Sequence, residues 1–396
     1  MNILNKKQFS IYLIILFIFS VFYLYQKHLV GNDSTISEWL INYEGGFTKR
    51  GLIGQIAIYL SYLIDIKLRL SIFIFQITVI AVYYIFLNNF ISNLKFNNLI
   101  IFSLFTPIFV LYPVAEIEVL ARKETFLYCF FLLYFLLDNK THKNIYKLTI
   151  LPVAILVWEP VIFFFPFWII IDFFEQDERN IIKSFFNIII FYLPAIFLAF
   201  FIAFNPISSE GHKEMANFLK NEFNEACYMS CELLLSKSKI TQQFTAVIDL
   251  FTFERIIRYF LVLIIGFGPL IILIQYSKFK KLNAKIISLF ISLPIIVLFL
   301  MMTDWGRVVN MYYTFSILTF LYLFKKNYLQ LNQLYKQNFF VKLFKTKKLL
   351  IFFFIIFCFG WNPKTSIVGD VGSKPGYQIP RKALKIIYFK YIKKNY

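Results

Sequence analysis

The stretch GNDSTISEWLINYEGGFTKRGLIG, residues 31–54, holds three carboxylates (Asp33, Glu38 and Glu44), a Gly45-Gly46 pair and the cations Lys49 and Arg50. Taken singly, Glu38 and Glu44 read as solvated carboxylates. Asp33, followed by Ser34 and Thr35, reads as a helix N-cap. Taken together they suit chemistry. A carboxylate can accept a hydroxyl proton, a guanidinium fork matches phosphate oxygens, and paired glycines admit close backbone approach. That combination fits group transfer from a phosphorylated donor.

Three further clusters interrupt the apolar sequence. VAEIEVLARKETF carries Glu116, Glu118, Arg122, Lys123 and Glu124. Glu118 and Arg122 stand four apart in the order that stabilises a helix. Trp158-Glu159-Pro160 separates LPVAILVW from VIFFFPFW. Glu159 either pairs with an arginine, such as Arg122 or Arg307, to hold helices together, or belongs to a site, because a charge at a span edge is costly. Asp304 and Arg307, three apart, would face each other on one helical turn beside an interfacial Trp305, or Arg307 would bind phosphate. The candidate catalytic residues are therefore Asp33, Glu38, Glu44 and Glu159. The candidate phosphate- or substrate-binding residues are Lys49, Arg50, Arg122, Lys123, Glu124, Asp304 and Arg307. No dedicated metal site is spelled out; a divalent cation is compatible with the acids but not required.

The elements that must position these residues are membrane helices. The 396 residues are 59% hydrophobic, and the apolar residues run in continuous blocks rather than in amphipathic periods. FSIYLIILFIFSVFYLY, LSIFIFQITVIAVYYIFL and YFLVLIIGFGPLIILIQY each approach the ~20 residues that cross ~30 Å of hydrocarbon. The expected fold is all-α: a polytopic helical membrane protein forming one integral membrane domain over 1–396. The formal charge of +19 would suggest nucleic acid in a soluble chain. Here the cations sit in short loops that set orientation and meet anionic headgroups, and no nucleic-acid motif accompanies them.

Lys6 and Lys7 precede a first span without a small-residue cleavage site, which predicts a retained anchor with a cytoplasmic N-terminus. The basic connections 139–147, 277–285 and 325–348 and the mixed one at 175–183 are then cytoplasmic. That parity makes LIGQIAIYLSYLID (52–65), only ~14 residues, an interfacial helix rather than a span. The layout has about eleven transmembrane helices, at 9–25, 70–91, 99–112, 125–138, 148–158, 160–174, 184–204, 256–276, 286–302, 308–324 and 349–361. External segments are 26–69, 113–124, 205–255, 303–307 and the tail 362–396. All four polar clusters fall on that outer side. Cys129 and Cys358 read as buried; Cys227 and Cys231 read as two ordinary cysteines, with a disulfide open if their loop is exported.

The order of GNDSTISEWLINYEGG, LIGQIAIYLSYLID and AEIEVLARKETFLYCFFLLYFLL resembles the plan of bacterial C-type glycosyltransferases: a first external loop bearing an acid, an interfacial helix, then a second acidic loop. The Ile-, Phe-, Asn- and Lys-rich polytopic layout also resembles O-antigen polymerases, with 205–255 in the place of their large periplasmic loop. These resemblances imply an enzyme of the bacterial inner membrane. It would transfer or polymerise saccharides from undecaprenyl-linked donors at the periplasmic face, among membrane lipids, with a chain-length regulator as a partner that the polymerase likeness allows. A first-loop acid would deprotonate the acceptor, and Arg50, Arg122 or Arg307 would neutralise the leaving phosphate. The rival reading is a transporter or flippase of lipid-linked oligosaccharides, which predicts internal pseudo-symmetry and paired broken helices.

Overall fold

A computed structural model describes residues 5–30, 33–92, 94, 97–176, 180–234, 248, 251–332, 346–364 and 374–393. Helices dominate. Among the described residues the only sheet is one antiparallel pair, Ser277–Phe279 with Leu329–Leu331, registered Ser277 opposite Leu331. Among the described residues, five helices are long and apolar enough to cross a membrane: Lys6–His28, Leu68–Ser92, Ile181–Phe204, Phe253–Gln275 and Ala284–Met301. Their outward faces suit a bilayer. Ile11, Ile14, Ile15 and Ile18 form an exposed stripe on the first helix, a surface that lipid accepts and water does not. The chain is an all-α, multi-pass membrane protein.

Other apolar runs form shorter or more deeply enclosed helices. Asn98–Phe105 stops at Thr106, whose extended backbone precedes Pro107. Glu124–Tyr134 has 11 residues and Lys347–Phe359 has 13. The 21-residue helix Trp305–Lys325 is buried at every position from Trp305 to Leu323 except Tyr312. It is a core helix, which is why it tolerates Arg307, Asn310 and Thr314. The expected connection 139–147 is not a loop. Asn139 caps a helix running Lys140–Val157, because its basic residues find buried partners. Lys147 Nζ lies 2.7 Å from Asp172, which also accepts from Tyr134 and Tyr192, and Lys143 pairs with Glu175.

The described residues fall into two compact units. One comprises Met1–Tyr23, Asn88–Val119 and Phe244–Tyr396; the other comprises Leu24–Leu87 and Leu120–Gln243. In the first, Asn98–Phe105 packs on Phe253–Gln275, and Thr106 donates to the Gly266 carbonyl. Tyr313, from the core helix, donates to the Ser103 carbonyl at 2.7 Å. In the second, Gly51–Ile64 presents Gly54, Ala57 and Ser61 inward while Tyr59, Tyr62 and Leu63 stay exposed. A Cβ on Gly54 would come within 1.9 Å of the Ile41 carbonyl oxygen, so the small residue sets how closely this helix meets the first loop. Lys140–Val157 supports both that helix and Leu193–Phe204.

Candidate functional site

The polar residues of the second unit converge where three segments meet: the first loop, residues 120–124, and the break after Val157. The break is a local consequence of sequence. Trp158 adopts an extended conformation, Glu159–Phe164 forms a 3-10 turn with Pro160 near its start, and the α-helix Phe165–Glu175 resumes with Pro166 in its first turn. This sets Glu159 between the two α-helices, at the start of the 3-10 turn, and frees its carboxylate for a long-range partner.

That partner is Arg50. Its Nε and Nη2 donate to the two Glu159 oxygens at 2.8 and 2.9 Å, a two-point fork. Neither Arg122 nor Arg307 takes this place. Arg50 also stands just before the helix Gly51–Ile64 with φ 64°, a left-handed backbone that only glycine adopts freely. Its carbonyl oxygen, turned out by that geometry, accepts from Lys123 Nζ at 2.5 Å. Ala121, two positions before Lys123, is left-handed as well (φ 54°), and its carbonyl accepts from Trp39 Nε1. Two strained non-glycine residues in one polar cluster are a common mark of a functional site.

Arg122 Nη1 donates to Glu38 Oε1 at 2.9 Å, and Glu38 is 1% exposed. Arg122 therefore pairs with the first loop. The helix spacing expected of Glu118 and Arg122 is absent, because the chain from Leu120 to Lys123 is not helical. Lys123 is fully buried. Burial lowers its pKa to about 7, against the raising influence of Glu38, Glu159 and Glu124. Burial raises the Glu159 pKa, but Arg50 and Lys49 outweigh that and hold the carboxyl below its usual range. Glu124, also buried, opens the helix Glu124–Tyr134, where a negative charge meets the positive end of the helix dipole. Lys49 is exposed at the edge, and the Arg50 and Glu159 side chains keep 21% and 22% exposure, so this end of the cluster is reachable.

The other first-loop acids are placed differently. Asp33 caps the short helix Ser34–Ser37 through Thr35 and pairs with Lys27 at 2.7 Å. Burial opposes its ionisation, but Lys27 and Thr35 hold its pKa below the usual value. Glu44 is exposed and accepts from Gln55 at 2.7 Å. Asp304 and Arg307 belong to the first unit, where they face each other across the opening turn of the core helix at 3.7 Å.

Several polar pairings were not legible in the sequence. Glu116 accepts from Asn362 and Lys364 at 3.0 and 2.8 Å. Arg255 stacks on Trp305, 4.3 Å from its ring centroid, and donates to the Thr303 carbonyl. Arg69 forks onto Glu225. Nothing in local spacing announces pairs so distant in sequence. Cys227 and Cys231 are joined in a disulfide rather than left as two ordinary thiols; their Cα atoms are 5.3 Å apart, and His212 Nε2 lies 3.4 Å from the Cys227 sulfur. Comparison with protein-family models, with curated proteins and with solved structures finds no match.

Proposed function

We propose that the chain is a bacterial inner-membrane enzyme of surface-polysaccharide assembly, transferring or polymerising saccharides from undecaprenyl-linked donors. The observation that carries this reading is the second-unit cluster, in which Arg50, Arg122 and Lys123 are held beside Glu38 and Glu159 at a break in an apolar helix. On this reading Arg50 and Lys49, at the reachable end, receive the donor phosphate, and Glu159 positions the Arg50 fork. Glu38 is the acceptor base on this reading because it is the first-loop acid that lies within this cluster, and substrate entry would have to release it from Arg122. Deprotonation by Glu38 and direct displacement of the phosphate would invert the anomeric centre. Phosphate entry would compete with Glu159 for Arg50, and Lys123, poised near neutrality, can take or return a proton as the pairing changes.

The proposed topology keeps the N-terminus cytoplasmic, with about eleven spans and Gly51–Ile64 lying in the outer interface. At 1.5 Å per residue its 14 residues reach roughly 21 Å, short of the hydrocarbon thickness. The disulfide at Cys227 and Cys231 supports an oxidising, external setting for its loop. The test is complementation of a deletion strain with Glu38→Gln, Arg50→Lys and Glu159→Gln, reading surface polysaccharide on gels. Loss of polymer length or of a repeat sugar, with the protein still in the membrane, is the expected result. Full complementation by all three sinks the assignment; accumulation of complete lipid-linked repeats on the inner leaflet would favour a flippase.

A further inference from the structure

The tail helix Pro375–Ile387, in the first unit, carries three strips. Pro375, Ile379 and Ala383, spaced four apart, are buried. Tyr23 donates to the Ile379 carbonyl at 2.5 Å, and Gly376 lies against Phe359, so this strip is fastened to the unit. The second strip is apolar and uncovered: Leu384, Ile387, Tyr388 and Tyr391 are 66%, 38%, 51% and 45% exposed. Their spacing of three, four and seven puts them on one face, continued by the π turn Tyr388–Ile392. The third strip is basic. Arg381, Lys382 and Lys385 are exposed, Lys390 and Lys393 follow, and no Asp or Glu occurs between Lys374 and Lys393.

An apolar stripe beside an acid-free basic stripe matches one environment in both respects. The boundary of an anionic bilayer offers acyl chains to the first and phosphates to the second. Arg381 lies over the Tyr377 ring at 5.4 Å and Lys385 over the Phe389 ring at 6.0 Å. Such cation–aromatic pairs carry an apolar body and a charged tip, the division that the headgroup level rewards. Thirteen residues reach only about 20 Å, so the helix lies along a bilayer rather than through it. We propose that residues 374–393 form a surface anchor lying in the headgroup layer of the host bilayer and recognising its anionic phospholipids.

The full chain itself supplies the assay. Cys227 and Cys231 are bonded and Cys129 and Cys358 are buried, so a thiol-reactive fluorophore on Leu384→Cys or Lys382→Cys labels one site under native conditions. The labelled protein is reconstituted into vesicles of phosphatidylcholine alone or with ~30% phosphatidylglycerol, and quenching is measured with spin-labelled lipid and with aqueous iodide. At position 384 lipid quenching should dominate and should rise about threefold with phosphatidylglycerol, whereas position 382 stays open to iodide. The Arg381→Gln, Lys382→Gln, Lys385→Gln variant should lose that rise while melting in detergent like the parent, since all three positions are exposed. Iodide access at 384 in both vesicles overturns the anchor, and so does shielding from both quenchers, which would mean a protein covers the stripe. An undiminished rise in the triple variant overturns the anionic recognition.

Discussion

Arg50 combines three duties at one position: a two-point fork to Glu159, a carbonyl that anchors Lys123, and a left-handed backbone before a helix. The backbone and side-chain contributions separate by substitution. Arg50→Ala loses the fork and keeps the strain; Arg50→Gly loses the fork and relieves it. The glycine variant should therefore unfold later than the alanine variant by about 1 kcal/mol, read from paired melts in detergent. Lys123 sets a pH dependence. Its folded pKa of about 7 lies below the unfolded value near 10.5, so between those limits the unfolded chain holds the extra proton. Stability contributed at this position should climb as pH rises from 7 towards 10.5, and Lys123→Met should flatten that climb in melts at stepped pH. These residue types were visible in the sequence, and so was the cap made by Asp33. The pairings were not: Glu159 reads equally well beside any arginine until the break at Trp158 aims it at Arg50.

The first loop and the helix Ser209–Phe223 meet at the scale of whole elements, backbone to backbone. A Cβ on Gly45 would fall 1.7 Å from the Gly211 carbonyl oxygen, and one on Gly211 would fall 2.1 Å from that of Gly45. Neither clash can be relieved by turning a side chain. Gly45→Ala and Gly211→Ala should each cost ~1–3 kcal/mol, and the double variant should cost less than their sum because the first substitution already parts the elements. A double-mutant cycle on thermal stability reads this directly. Gly45 was legible as a permissive residue; that its opposite number is another glycine in a remote helix was not, because no local pattern encodes a crossing. Element boundaries failed for a related reason. The basic run 139–147 looks like a solvated connection, yet Asp172 and Glu175 bury Lys147 and Lys143 and let the helix begin at Lys140.

At the scale of the molecule, the apolar blocks made a multi-pass helical membrane protein legible from composition alone. Helix length was less so, since a run such as 99–112 contains Thr106-Pro107 and ends its helix early. The cysteines test the architecture. Denatured without reductant, the protein should take up two equivalents of a maleimide, at Cys129 and Cys358, and four after reduction, counted by mass spectrometry. Four without reductant would exclude the disulfide. The Gly45–Gly211 crossing also imposes a schedule on synthesis. At ~5–20 residues per second the ribosome reaches Gly211 roughly 10–30 s after Gly45. Throughout that interval the first loop lacks the helix that closes over it. The nascent chain must therefore be guarded against proteases and wrong partners during this window, and slowing translation between these two glycines should lower the yield of intact protein without changing any residue.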